Sequence, residues 1–332
     1  MEERLSAAGG ELLATIRAGV ATVTLNRPAT HNAISFAMLE GLAAWLEAWR
    51  GDERIRCVLL RGAGERAFCA GGDVRAIHDD LTGPGGDHHR FFEVEYALDY
   101  RIHTYPKPIA AYLDGIVMGG GMGISMGAAL RIVGPKTRMA MPETAIGLFP
   151  DVGGSWFLSR LPGKLGLYLG LAGPTIRAAD AVYCGLADLD VGPPAPSELE
   201  HLRPAIDEHF ARDSVEEILD SLEREPRPER REWATRTAAL LRRRSPTMLK
   251  VTLEQLRRGA RLSLADCFRM ELNLVHGCFE QGDFLEGIRA MLVEKDGAPR
   301  WNPPALRDVG AGAIDRFFTP RWPPAEHPLA SL

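Results

Sequence analysis

Nowhere in this 332-residue chain do two cysteines stand at CxxC spacing, and none of its nine histidines belongs to an HExxH motif. The five cysteines (Cys57, Cys69, Cys184, Cys267 and Cys278) are odd in number and scattered. That pattern excludes a disulfide framework and a spaced zinc site, and it reads as the reduced thiols of a cytosolic enzyme. No metal or redox cofactor is expected. A run of about 18 uncharged apolar residues, the length a membrane helix needs, is also missing. The first residues, MEERLSAAGGELL, are acidic and lack the basic region and apolar run of a secretory signal. The expected location is cytoplasmic. A basic excess is absent too: the formal net charge is −5 at pH 7. Nucleic acid and anionic membrane are therefore not expected partners.

What is present is ordinary for a globular enzyme, 45% hydrophobic and 25% charged. GVATVTLNRP alternates Ala21, Val23 and Leu25 with Thr22 and Thr24, which predicts a half-buried strand. SFAMLEGLAAWLEAW sets Leu39, Leu42, Leu46 and Trp49 on one helical face, with Ser35 placed to cap its start. RCVLLRG, KPIAAYLDG and LRIVG are short continuous apolar runs, the pattern of strands buried on both faces. Strand, helix and Gly-rich turn alternate to about residue 190, which argues an α/β architecture with parallel pairing. GPPAPS at 192–197 marks a boundary. Beyond it the segments are helical. The final FFTPRWPPAEHPLASL is Pro-rich and predicts no regular element. The expected division is a core domain over 11–192, a helical domain over 198–318 and a tail over 319–332. The Arg-dense stretch 224–244 is interleaved with glutamates and reads as a solvated helical surface.

Chemistry concentrates in three segments. ERAFCAGGDVRAI runs a strand into Gly71 and Gly72, where the backbone can turn and present N–H groups. DGIVMGGGMGISMGAAL ends a strand at three glycines and opens a helix, whose orphan amides suit a developing oxyanion. MAMPETAIGLFPDVGG is nearly all apolar, Gly or Pro, yet carries Glu143 and Asp151 eight positions apart. Each acid has a structural alternative. Glu143 could complement a helix dipole, and Asp151 could cap the helix that follows. A further acid, Glu95, falls on the apolar face of FFEVEYALDYRIHTY, where a carboxylate is costly unless paired or used.

Taken in order, LNRP/NA, FCAGGD, KPIAAYLDG, MGGGMG, MPETAIGLFPDVGG and RAADAVYCGLAD resemble the crotonase superfamily, also called the enoyl-CoA hydratase/isomerase family. The resemblance spans about residues 15–300 and is densest over 57–189. It implies an α/β, crotonase-like spiral of ββα units with a helical C-terminal region that often mediates trimers. It also implies an acyl-CoA substrate and an oxyanion hole made by the Gly72 and Gly120 amides. Coenzyme A would run along Ala33, Ala70, Gly72, Asp73, Val74 and Arg75.

Hydratases of the family carry a glutamate where this chain has Gly123. PETAIGLFPDVGG and EYALDY look instead like the valine-catabolism thioesterase branch, whose substrate is 3-hydroxyisobutyryl-CoA. By that resemblance Glu143 acts as nucleophile or general base, Asp151 orients the 3-hydroxyl or the water, and Glu95 supports the substrate pocket or binds the hydroxyl. A homo-oligomer, as a trimer, is the implied assembly. Isomerisation or hydration on the same fold is the alternative, and a non-enzymatic RNA-binding member is a third possibility.

Overall fold

The computed structural model describes residues 2–83 and 88–332. Two compact units interleave along the chain. The first takes residues 1–77, 87–140 and 175–200, and the second takes 78–86, 141–174 and 201–332. The expected boundaries were contiguous. The chain instead assigns 141–174, which carries Glu143 and Asp151, to the same unit as the C-terminal helices.

Among the described residues the first unit holds ten strands: β1 (Glu3–Ala7), β2 (Leu12–Arg17), β3 (Val20–Leu25), β4 (Cys57–Gly62), β5 (Ala67–Cys69), β6 (Ile109–Leu113), β7 (Ile116–Met118), β8 (Leu130–Val133), β9 (Arg138–Ala140) and β10 (Leu189–Asp190). A large sheet runs β1-β2-β3-β4-β6-β8-β10, and a small one runs β5-β7-β9. β1, β2 and β3 pair antiparallel, and every other pair is parallel. Each of β4–β5, β6–β7 and β8–β9 gives its first strand to the large sheet and its second to the small one. That repeated hand-over is a spiral of ββα units. The tight step from β6 to β7 needs Gly115, at φ +76°, where a Cβ would stand 2.3 Å from the Arg66 carbonyl oxygen.

The helix Phe36–Arg50 buries Leu39, Leu42, Leu46 and Trp49, and the Ser35 hydroxyl accepts from the Met38 N–H. Both features follow the sequence pattern. The strands buried on both faces do not. Burial alternates along β4 and β6, and Tyr112, Leu130 and Leu189 are exposed. Register puts Tyr112 and Leu189 beside Ile132, on the same face as Leu130. One face of the sheet is buried within the chain, and the other carries Thr22, Thr24 and Arg61 on β3 and β4 beside the exposed apolar Tyr112, Leu130 and Leu189 on β6, β8 and β10. The continuous apolar runs of β6 and β8 reflect two apolar faces, of which a single chain covers one.

The second unit is helical. Val215–Glu223, Pro228–Arg242, Pro246–Gly259 and Leu264–Gln281 are helices, as expected beyond the 192–197 boundary. Gly282, at φ +94°, separates the last of these from Asp283–Ile288. In the Arg-dense helix Pro228–Arg242, Trp233, Ala234, Thr237, Ala238 and Leu241 are buried, while Arg231 and Arg236 are exposed. The Pro-rich tail forms a single 3₁₀ turn, Pro324–Glu326. Arg269 holds it through the Leu329 and Leu332 carbonyl oxygens. No helix among the described residues is long and apolar enough to cross a membrane.

Candidate active site

In the first unit, Asn32 organises the LNRP/NA segment. It is fully buried and sits in the left-handed region, which Asn tolerates better than most residues. Its side-chain amide donates to the Ala63 and Ala67 carbonyls, and its Oδ1 accepts from the Arg27 N–H. Arg27 in turn pairs with Asp73 at 2.9 Å and donates to the Ala33 carbonyl. The backbone of 31–34 then ladders onto 70–73: Ala70 donates to His31, Ile34 to Gly71, and Asp73 to Ile34. Four of the expected coenzyme A positions (Ala33, Ala70, Gly72 and Asp73) thus share one ladder, with Val74 and Arg75 opening the helix Val74–Thr82. Sequence patterns alone did not single out Arg27.

Gly120 opens the helix Gly120–Met126, so its N–H is one of the amides with no acceptor inside that helix. The Gly72 nitrogen is 3.2 Å from where a Gly120 Cβ would stand, so the two glycine segments touch. Glu95, 2% exposed on the helix His88–His103, brings its Oε1 to 2.5 Å from that same Cβ position and to 4.0 Å from the one on Gly72. Gly72, Gly120 and Glu95 are therefore together. Cys69 lies beside them, but burial pushes its thiol up to about 12, so it stays protonated and is a poor nucleophile. Gly123, where family hydratases carry glutamate, is buried in the helix Gly120–Met126.

In the second unit, Glu143 begins the 3₁₀ turn Glu143–Ile146 and is 5% exposed. Gly147 closes the turn at φ +72°, with the Asp283 carbonyl oxygen 2.1 Å from its Cβ position, so only glycine fits. Thr144 anchors the turn through the Leu171 carbonyl at 3.0 Å. The Arg244 guanidinium donates to the Ala172 carbonyl at 2.6 Å. Burial lowers its pKa, neighbouring Arg243 adds to that, and the Glu143 carboxylate acts the other way. Arg244 is thus a cation in the electrostatic field of Glu143. In the sequence it was one more member of an Arg run.

Asp151 is 4% exposed. It does not cap the following helix: Gly154–Phe157 has Gly153 at its N-cap and no side-chain cap there. That task falls to Glu271, fully buried on the helix Leu264–Gln281. The Gly153 and Ser155 N–H groups donate to its two oxygens, each at 2.8 Å. Gln255, also fully buried, donates to the Pro150 carbonyl at 2.6 Å and to the Ser155 hydroxyl at 2.8 Å. Between these anchors Val152 is held at φ +51°, a conformation that β-branched residues rarely adopt. Such strain costs on the order of 1–3 kcal/mol. Two hydrogen bonds to the Glu271 carboxyl, at about 0.5–1.5 kcal/mol each when it is neutral, offset a cost of that size. Burial pushes the Glu271 carboxyl up to about 8, against the pull of its donors on Ser155 and Gly153. Its position was legible in principle. Like Glu95, it is an acid on an apolar helical stripe, here with Cys267, Phe268, Leu274, Val275 and Cys278.

A cavity of about 1360 Å³ in the second unit, walled by Phe210, Arg257, Arg261, Phe318 and Trp322, includes none of these acids in its lining. Its volume does not mark the chemistry.

Comparison with known proteins follows the same line. The enoyl-CoA hydratase/isomerase family model matches residues 20–193 and 189–318. A Gallus gallus protein named 3-hydroxyisobutyryl-CoA hydrolase, mitochondrial, is 40% identical, over 93% of this chain and 89% of its own length. The Arabidopsis thaliana 3-hydroxyisobutyryl-CoA hydrolase 1 is 38% identical, over 94% of this chain and 92% of its own. Among solved structures, a carnitinyl-CoA dehydratase from Mycobacterium thermoresistibile is 39% identical with a TM-score of 0.88, covering 93% of this chain and 96% of that one. An enoyl-CoA hydratase from Rhodobacter sphaeroides is 35% identical, also at 0.88, covering 94% and 98%. Relatives from Gallus gallus, Danio rerio and Bos taurus are named as mitochondrial. This overturns the expected cytoplasmic location. Unpaired cysteines mark a reducing environment, not a particular compartment.

Proposed function

The chain belongs to the enoyl-CoA hydratase/isomerase family, and from that premise we propose that it hydrolyses 3-hydroxyisobutyryl-CoA to 3-hydroxyisobutyrate and CoA, a step of valine catabolism. The observation that carries this is the run of relatives from birds, fish, frogs and plants that bear the hydrolase name over nearly the whole chain. Gly123 supports it from within, because hydration by a pair of glutamates lacks its second carboxylate here. Hydration is the second reading, and two similar solved structures are named as a carnitinyl-CoA dehydratase and an enoyl-CoA hydratase.

In the proposed mechanism the Gly72 and Gly120 amides receive the thioester oxygen as it gains negative charge. Such a donor is worth roughly 3 kcal/mol of barrier in other enzymes. Glu143 attacks the carbonyl carbon and CoA leaves as its thiolate, giving a mixed anhydride that water then hydrolyses. Alternatively, Glu143 takes a proton from the attacking water. Asp151 orients the 3-hydroxyl or that water, and Glu95 lines the acyl pocket. Ala33, Ala70, Gly72, Asp73, Val74 and Arg75 hold coenzyme A, largely through backbone groups. Coenzyme A arrives as part of the substrate, and the chemistry requires no further cofactor.

We also propose a homo-oligomer, as a trimer. The exposed apolar face of β6, β8 and β10, with Tyr112, Leu130, Leu189 and neighbouring Val191 on its surface, supports this. Thiol release measured beside crotonyl-CoA hydration tests the activity, and solution mass tests the assembly.

A further inference from the structure

The loop Pro150–Ser155 is fixed by two side chains that sequence motifs do not mark, and by one backbone hydrogen bond of its own. Glu271 accepts from the amides on either side of Gly154, Gln255 donates to the Pro150 carbonyl, and the Asp151 carbonyl accepts from the Gly154 N–H at 2.7 Å. The helix carrying Gln255 also approaches closely. A Cβ on Gly259 would stand 2.3 Å from the Ser155 carbonyl oxygen. These ties converge on one strained residue, Val152, which directly follows Asp151.

We propose that Glu271 is a positioning residue for Asp151: by clamping the Gly153 and Ser155 amides it holds the left-handed Val152 turn and so sets the direction of the Asp151 carboxylate. The shape of the loop demands such a clamp. A valine left to itself relaxes out of the left-handed region, and that rotation re-aims the preceding residue. A glutamate reaches both amides with one carboxylate. Glutamine offers one acceptor and presents an N–H₂ group to the other amide, so it releases one side of the turn. In its kinetic part this inference rests on the proposed hydrolase activity. In its geometric part it stands on the loop alone.

The test compares Glu271→Gln, Asp151→Asn and the double variant in the full chain, with Asn273→Ala as a control. Asn273 donates to the Phe317 and Thr319 carbonyls, elsewhere on the helix of Glu271. Hydrogen exchange in peptides spanning Pro150–Phe157 should be about tenfold faster in Glu271→Gln than in wild type. Exchange that is unchanged overturns the proposal. The second readout is kcat/KM for 3-hydroxyisobutyryl-CoA relative to isobutyryl-CoA, which lacks the 3-hydroxyl. Glu271→Gln should lower that ratio about 100-fold, mainly through kcat, because misaiming a positioned group is that costly. Asp151→Asn should lower it similarly, and the double variant should lose little more. A loss in Glu271→Gln that does not follow the substrate pattern of Asp151→Asn, or that adds in full in the double variant as expected for Asn273→Ala, would reduce Glu271 to scaffolding. If Glu271→Gln does not fold, Gln255→Met releases the other end of the loop and carries the same comparison. Wild-type protein that releases no thiol from either substrate counts against the hydrolase assignment alone, and hydrogen exchange then decides the clamp.

Discussion

Glu95 Oε1 lies 2.5 Å from the position a Cβ would take on Gly120. A buried carboxylate therefore fills the space in front of a glycine whose amide opens a helix. Gly120→Ala should push Glu95 aside, displace the amide and keep the fold, since a side chain can yield. Turnover is expected to fall by about 10²–10³, the cost of losing one donor of the proposed oxyanion hole. Gly121→Ala is the contrast. Its Cβ would stand 2.4 Å from the Cys69 carbonyl oxygen, which is backbone and cannot yield cheaply. That variant should lose about 1–3 kcal/mol of stability or more. Melting temperatures and thiol release on matched preparations separate the two.

Glu143→Gln and Asp151→Asn should separate chemistry from fold. Both keep volume and remove charge. Glu143→Gln should lose roughly 100-fold or more in turnover, the cost of losing a positioned base or nucleophile. Acyl-CoA affinity should stay near wild type. Full activity with a lowered melting temperature in both variants would make these acids scaffolding.

Local pattern made part of this legible. Ser35 as a cap, the buried face of Phe36–Arg50 and Glu95 on an apolar stripe are all set by residues within one or two turns of each other. What was not legible depends on distant segments. Glu271 reaches the Asp151 loop across more than a hundred residues, and Arg244 comes near Glu143 the same way. The cap weighed as Asp151's structural alternative is supplied by a remote carboxyl, that of Glu271. The strands expected to be buried on both faces failed because burial depends on what covers a sheet, which local composition does not record. The grouping of 141–174 with the C-terminal helices is likewise a matter of packing.

Gly123→Glu should not create a hydratase. Every residue of Gly120–Met126 is buried. An added carboxylate there, without a partner, costs about 3–5 kcal/mol. The variant should melt lower and leave crotonyl-CoA unhydrated, as followed by loss of enoyl absorbance. Hydration at a rate near that of an ordinary family hydratase would show that one position separates the two reactions.

Acid should destabilise the first unit through His103. Burial, reinforced by Arg131, pushes its imidazole down to about 4 from the usual 6.5. Between those values the unfolded chain binds the extra proton and the folded one does not, so stability is lost as pH falls through that window. The loss is at most about 3 kcal/mol. Urea unfolding between pH 7 and 4 should show it in wild type. His103→Phe should flatten the curve by the same amount, and parallel curves would contradict this.

The central claim is hydrolysis of a 3-hydroxyacyl thioester, and one assay meets it directly. Purified protein is given 3-hydroxyisobutyryl-CoA and, separately, crotonyl-CoA, while free thiol and enoyl absorbance are followed together, with and without EDTA. The account predicts rapid thiol release from 3-hydroxyisobutyryl-CoA, unaffected by EDTA, and little change in crotonyl-CoA. Rapid hydration of crotonyl-CoA with no thiol from either substrate would contradict it and assign the chain to the hydratases.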